Sequence, residues 1–137
     1  MKIMNKHIKC TYGDVTLDLT FPDKITFLYG DSGKGKTYLA KALSKQDMSV
    51  ILFDYTYDTP KKIKVIKDFI RGNEGFLIVI DNFDLLADDE IRELIYNDDN
   101  NMFLLIGRDP HLLHLSAHNF VDIEIKDRVI RFKRKFK

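Results

Sequence analysis

Apolar positions in this chain fall into short runs divided by polar turns, and the period inside each run changes along the sequence. Residues 15–21 (Val-Thr-Leu-Asp-Leu-Thr-Phe) alternate apolar and polar, which predicts a strand with one buried face. Residues 7–10 predict a strand before it, and Tyr12-Gly13-Asp14 supplies the turn between them. Pro22-Asp23 makes a second turn into residues 25–29 (Ile-Thr-Phe-Leu-Tyr), a β-branched and aromatic run that reads as a buried strand. In residues 37–43 the period lengthens, with Leu39, Ala42 and Leu43 at i, i+3 and i+4, which predicts an amphipathic helix.

The same logic carries through the rest of the chain. Residues 50–54, 76–80 and 102–106 are continuously apolar rather than alternating, as strands buried on both faces are. Between the first two, Ile63, Ile66, Phe69 and Ile70 mark a helix over 61–71, with Pro60 at its entrance and Gly72-Asn73-Glu74-Gly75 as the following turn. Between the second two, Asp88 is placed to cap a helix running to Asn97, with Ile91, Leu94 and Ile95 facing inward. A short helix is expected over 111–115, started by Asp109-Pro110. Residues 121–125 alternate, and Lys126-Asp127 turns the chain into 128–133, so the end predicts an antiparallel hairpin. Strands alternating with helices argue for an α/β fold with a mainly parallel sheet in a single domain spanning 1–137.

The chemistry begins between the strand 25–29 and the helix 37–43. Gly30-Asp31-Ser32-Gly33-Lys34-Gly35-Lys36-Thr37 fits G-x-x-x-x-G-K-[ST] at every fixed position, the phosphate-binding P-loop or Walker A pattern. Glycines let the backbone come close to crowded anionic phosphates, since they lack Cβ and reach positive φ at little cost. Successive N–H groups and the positive end of the following helix then converge on the phosphate oxygens. The candidate nucleotide-binding residues are Gly30, Asp31, Ser32, Gly33, Lys34, Gly35, Lys36, Thr37 and Tyr38. Lys36 reaches the β- and γ-phosphates, and the Thr37 hydroxyl is a ligand for Mg²⁺. The strand 76–80 ends in Asp81, which has the form of Walker B and is the second Mg²⁺ candidate. The expected cofactors are therefore ATP (or ADP) and Mg²⁺.

Walker A, an intervening strand, a hydrophobic strand ending in Asp81 and a further hydrophobic strand resemble the additional-strand P-loop ATPases, the class that includes AAA+, RecA-like and ABC-type enzymes. The resemblance covers residues 25 to about 125 and is most specific at the P-loop. It implies a three-layer P-loop NTPase-like fold with a mainly parallel central sheet, to which the N-terminal strands and the C-terminal β-hairpin are additions. It also implies a five-strand central sheet, with the strands 76–80 and 102–106 beside the P-loop strand. No LSGGQ-like segment and no C-terminal helical lid accompany these motifs.

One position departs from that class. The acidic residue that usually follows the Walker B Asp is here Asn82, and an amide orients water but does not accept its proton. Asp84 is the nearby candidate base; the alternative is that it simply begins an acidic surface. At the tip of 102–106, Arg108 is a candidate γ-phosphate sensor in cis, or an arginine finger toward a neighbouring subunit; a surface arginine paired with Asp109 or Asp81 is the alternative. The candidate catalytic set is Lys36, Asp84 and Arg108.

Composition narrows the function classes only modestly. The chain has 137 residues, 45% of them hydrophobic, and a formal net charge of +1, so bulk charge points to neither nucleic acid nor membrane. Cys10 is the one cysteine, which excludes an intramolecular disulfide and suits a reducing, cytoplasmic setting. No apolar run approaches the ~18 residues of a membrane helix. Charge is unevenly placed: Asp81, Asp84, Asp88, Asp89, Glu90, Glu93, Asp98 and Asp99 surround Arg92 alone, while residues 128–137 are strongly basic. This asymmetry suits a protein partner or a second copy of the chain, and the basic tail, with Phe132 and Phe136 interleaved, offers nucleic acid an approach.

Three functions compete. An ATP-binding, weakly hydrolysing or partner-stimulated interaction module leads. A small-molecule kinase would use the same loop but needs a lid that the chain has no insertion to form. A non-enzymatic effector would keep the nucleotide structurally. A GTPase fits less well: neither N-K-x-D late in the chain nor D-x-x-G after Asp81 is present.

Overall fold

In a computed structural model of the chain, residues 7–30, 35–46, 49–55 and 59–136 are described. Their elements run β1 (His7–Tyr12), β2 (Val15–Thr20), β3 (Ile25–Tyr29), α1 (Lys36–Ser44), β4 (Val50–Phe53), α2 (Thr59–Gly72), β5 (Leu77–Ile80), α3 (Phe83–Leu86), α4 (Asp89–Asn97), β6 (Met102–Gly107), β7 (Phe120–Lys126) and β8 (Val129–Arg134), with a 3₁₀ turn at Ala117–Asn119. All the strands join one sheet in the order β1-β2-β8-β7-β3-β6-β5-β4. The sheet is mixed. β1 with β2 and β7 with β8 are antiparallel, while β2–β8, β7–β3, β3–β6, β6–β5 and β5–β4 are parallel.

The expected three-layer P-loop NTPase-like fold, with terminal strands added to a mainly parallel central sheet, is overturned. The chain is mixed α/β, with a single eight-stranded sheet curled into a half-barrel. The C-terminal hairpin is no appendage: β7 pairs directly with β3, and β8 joins β7 to β2.

The hydrophobic pattern explains this arrangement. Every strand contributes side chains to one core around α1, where Leu39, Ala40, Ala42 and Leu43 meet Leu17, Leu28, Val79, Leu104, Val121 and Ile130. The opposite core, under α2, α3 and α4, draws only on β3, β4, β5, β6 and the start of β7, through residues such as Phe27, Ile78, Phe103 and Leu105. Strands β1, β2 and β8 thus have one apolar face, as their period-two sequences require, and among the described residues no helix covers the other. Two helical layers exist over half of the sheet only.

Two local expectations also change. No helix forms over 111–115, because Leu112 (φ 68°) and His114 (φ 53°) adopt the left-handed region, which interrupts a right-handed helix. The hairpin turn sits one residue later than expected, at Asp127 (φ 54°) and Arg128 (φ 61°), and Lys126 pairs with Val129. Two consecutive positive φ values match the type I′ turn that suits the strand twist. The interleaved aromatics of the basic end touch the protein's own rings, although Phe136 stays exposed. Phe132 packs edge-on against Phe21, and Phe136 against Phe120.

Candidate functional site

Strands β3, β6, β5 and β4 are mutually parallel, so Tyr29, Gly107, Ile80 and Phe53 end at one edge of the sheet. From that edge α1 departs to one face and α3 to the other, which opens the kind of crevice where ligands bind in open α/β sheets. The sequence-predicted site residues meet here, apart from Asp31, Ser32, Gly33 and Lys34, which lie outside the described residues.

The glycines at either end of the loop take backbone shapes that a side chain resists. Gly30 has φ 134°, and its N–H donates to the Gly107 carbonyl at 2.8 Å, tying the loop's start to the tip of β6. A Cβ on Gly30 would stand 3.1 Å from the Lys36 Nζ, so the lysine folds back toward Gly30. Gly35 (φ 94°) caps α1, and its carbonyl accepts from Leu39 N–H at 2.9 Å. A Cβ there would touch Ile125 Cδ1 at 3.4 Å, so the β7–β8 hairpin walls this side.

The Thr37 hydroxyl donates to Asp81 Oδ2 at 3.2 Å, across 44 residues of sequence. Asp81 is only 3% exposed, and its other oxygen accepts from the Asn82 N–H at 2.9 Å. A hydroxyl and a carboxylate converging on one point form a hard-oxygen pair suited to Mg²⁺, which typically takes one or two carboxylates and completes its shell with phosphates and water. Among the described residues no three His, Cys, Asp or Glu side chains cluster as a self-sufficient metal site. A Mg²⁺ ion held by this pair would need further ligands, such as phosphates and water.

Asn82 stands in the left-handed region (φ 53°, ψ 45°), at the N-cap of α3. Asparagine tolerates that conformation better than most side chains, which gives a backbone reason for an amide here. Asp84 turns toward the loop after β6: its carboxylate accepts from Arg108 N–H (3.2 and 3.0 Å to the two oxygens) and Asp109 N–H (3.0 Å). Arg108 is exposed at the same edge. Tyr38 sits at the start of α1 with its ring edge-on to Tyr12, 5.7 Å between centroids, and its hydroxyl donates to the Tyr12 carbonyl at 3.4 Å.

Sequence reasoning missed Arg92. It reads as the lone cation of an acidic stretch, yet it is 3% exposed. Its guanidinium donates to the carbonyls of Ala87 (3.0 Å), Asp109 (2.6 Å) and His111 (3.1 Å), and stacks over Phe83 at 4.7 Å from the ring centroid. The available signal was its position beside Ile91 and Ile95, on the inward side of the helix pattern.

The basic C-terminus carries internal pairs: Arg128 with Asp14 (3.1 Å), Arg131 with Asp18 (3.3 Å) and Lys135 with Asp122 (3.9 Å). Asp18 also accepts from His7 at 2.6 Å, and this hydrogen bond, with Arg131 nearby, holds its carboxyl below the usual range. Among the described residues no helix is long and apolar enough to cross a membrane. No protein-family model, curated protein or solved structure matches this chain.

Proposed function

We propose that this chain binds Mg²⁺-ATP through residues 30–37 and Asp81, and works as a nucleotide-controlled interaction module whose own hydrolysis is slow. The observation that carries the reading is the Thr37 hydroxyl 3.2 Å from the buried Asp81 carboxylate, in a chain whose residues 30–37 spell a full P-loop pattern. Lys36 supplies a point charge above the loop's first glycine, where β- and γ-phosphate oxygens would lie. Thr37 and Asp81 hold the metal that accompanies those phosphates, and bound Mg²⁺ would neutralise charge that develops on them. Asn82 orients water without removing its proton; lacking general-base help commonly costs ~10²–10⁴ in rate. Slow turnover by the isolated chain, raised by a protein partner or a second copy, follows from that substitution. The lone Cys10 suits a cytoplasmic setting for such a module.

The test compares the wild type with Lys36→Ala for Mg²⁺-ATP binding by thermal shift, and for steady-state hydrolysis. A ligand at a hundredfold its Kd stabilises the folded state by about 2.7 kcal/mol, which is several degrees of Tm. The wild type should show this shift and Lys36→Ala should not. Equal shifts in both proteins would sink the phosphate site.

A further inference from the structure

Asp84 has the position of a substitute base but the contacts of a clamp. We propose that Asp84 is a positioning residue, which fixes the backbone of residues 107–109 at the nucleotide site and so aims Arg108 at the γ-phosphate. This rests on the phosphate-site reading above.

Three linked observations carry it. Both carboxylate oxygens of Asp84 face the backbone N–H groups of Arg108 and Asp109, at 3.0 to 3.2 Å. Gly107 is built around this grip: a Cβ there would stand 2.6 Å from Asp84 Oδ1 and 3.2 Å from Phe83 Cβ. The Gly107 carbonyl in turn accepts from Gly30 N–H, the first residue of the phosphate loop. The tip of β6 is therefore held from one side by the loop and from the other by Asp84, three residues after Asp81.

Arg92 completes the clamp at its far end. Its bonds to the Asp109 and His111 carbonyls pin the segment that Asp84 holds at the near end, with the Phe83 ring beneath the guanidinium. Leu112 and His114, just beyond, are both in the left-handed region. Non-glycine residues persist there only where surrounding contacts over-determine the backbone. A carboxylate committed to two backbone donors supports the placement of Arg108 and not the abstraction of a proton from water.

A base and a clamp respond differently to Asp84→Asn. The amide oxygen still accepts from a backbone N–H, but the amide takes up no proton. The experiment measures the affinity ratio for Mg²⁺-ATP over Mg²⁺-ADP in the wild type, Asp84→Asn, Asp84→Ala, Arg108→Ala and the Asp84→Ala/Arg108→Ala double variant, with hydrolysis alongside. The ratio should fall about tenfold in Asp84→Ala and in Arg108→Ala, the scale of one charge-assisted hydrogen bond. The double variant should fall no further, since the two residues act through one contact. Asp84→Asn keeps one of the two acceptor oxygens, so its ratio should lie between those of the wild type and Asp84→Ala, with hydrolysis reduced only in proportion.

Additive losses in the double variant would overturn the clamp. So would an Asp84→Asn protein that keeps its nucleotide preference but loses hydrolysis, the signature of a base. A wild type that does not distinguish ATP from ADP, while still binding both more tightly than Lys36→Ala, would overturn the clamp and leave the phosphate site standing. If Asp84→Ala does not fold, Asp84→Asn and the exposed Arg108→Ala decide the matter.

Discussion

Thr26 is fully buried in β3, yet among the described residues its hydroxyl has no hydrogen-bond partner. It lies opposite Leu104 on β6 and, by strand alternation, on the same face as Leu28, so it takes its polar atom into the apolar core around α1. An unsatisfied buried hydroxyl costs about 1–3 kcal/mol. Thr26→Val keeps the branched shape and removes the oxygen, so it should raise stability by about 1 kcal/mol. The urea midpoint should move up with an unchanged slope. A lower midpoint would mean that the hydroxyl has a role the contacts around it do not reveal. Residues of this kind mark the limit of legibility at this scale. Asp88 was readable as a cap because its partner, the Ile91 N–H, is three residues away. Lys36 and Thr37 were readable because loop and helix are contiguous in sequence. Arg92, Gly107 and the orientation of Asp84 were not, because each is defined by an atom 17 to 24 residues distant that only the fold brings near.

Helices α2 and α4 are joined by charge as well as by their apolar faces. Lys67 Nζ lies 2.8 Å from Asp88 and 2.8 Å from Glu90, and Arg71 also pairs with Glu90. Burial pushes the Asp88 carboxyl up, but the Lys67 and Ile91 hydrogen bonds outweigh it and hold the group below its ordinary range. The hydrogen bond from Lys67 lowers Glu90, and the same two carboxylates raise Lys67. The signs fix where this link matters. The carboxylates contribute stability that is complete above their ordinary range, about pH 4, and is lost as pH falls through their lower folded values. Lys67 contributes stability that is complete below its ordinary value of about 10.4 and is lost as pH rises through its raised folded value. Replacing Lys67 with Met should therefore flatten the fall of the urea midpoint below about pH 4, leaving a shallower curve than the wild type. Parallel acid limbs would show that the three groups do not act together. The pairing was invisible in the sequence, although both helices were visible in their 3.6-residue periods. Elements that are short or broken by conformation leave no such trace: α3 spans four residues, too few to show a period, and the left-handed Leu112 and His114 remove the helix that Asp109-Pro110 predicts.

At the scale of the whole molecule, the strands could be placed along the chain but not ordered in space. Continuous apolar runs and alternating runs correctly distinguish strands with two buried faces from those with one. Neither pattern says that β8 lies between β7 and β2, since pairing across more than a hundred residues leaves no local trace. Among the described residues, that pairing makes β8 the sole strand link between β1–β2 and the rest of the sheet. Ile130, 2% exposed, sits at the joint, level with Leu17 on β2 and Ile125 on β7. Truncating it to Ala should cost about 2–4 kcal/mol. Cys10 on β1 offers a reporter, because the protein has no other thiol. Burial raises its pKa, which disfavours the reactive thiolate until β1 opens. If the curled sheet is one cooperative unit, the part of the labelling of half-buried Cys10 that depends on opening tracks global unfolding, and Ile130→Ala speeds that part by about a hundredfold. If Ile130→Ala instead leaves that opening-dependent part unchanged while global stability falls, β1 and β2 open on their own. The sheet would then consist of a stable body bearing the nucleotide edge and a loosely held N-terminal pair, and the β2–β8 joint would carry little of the fold's stability.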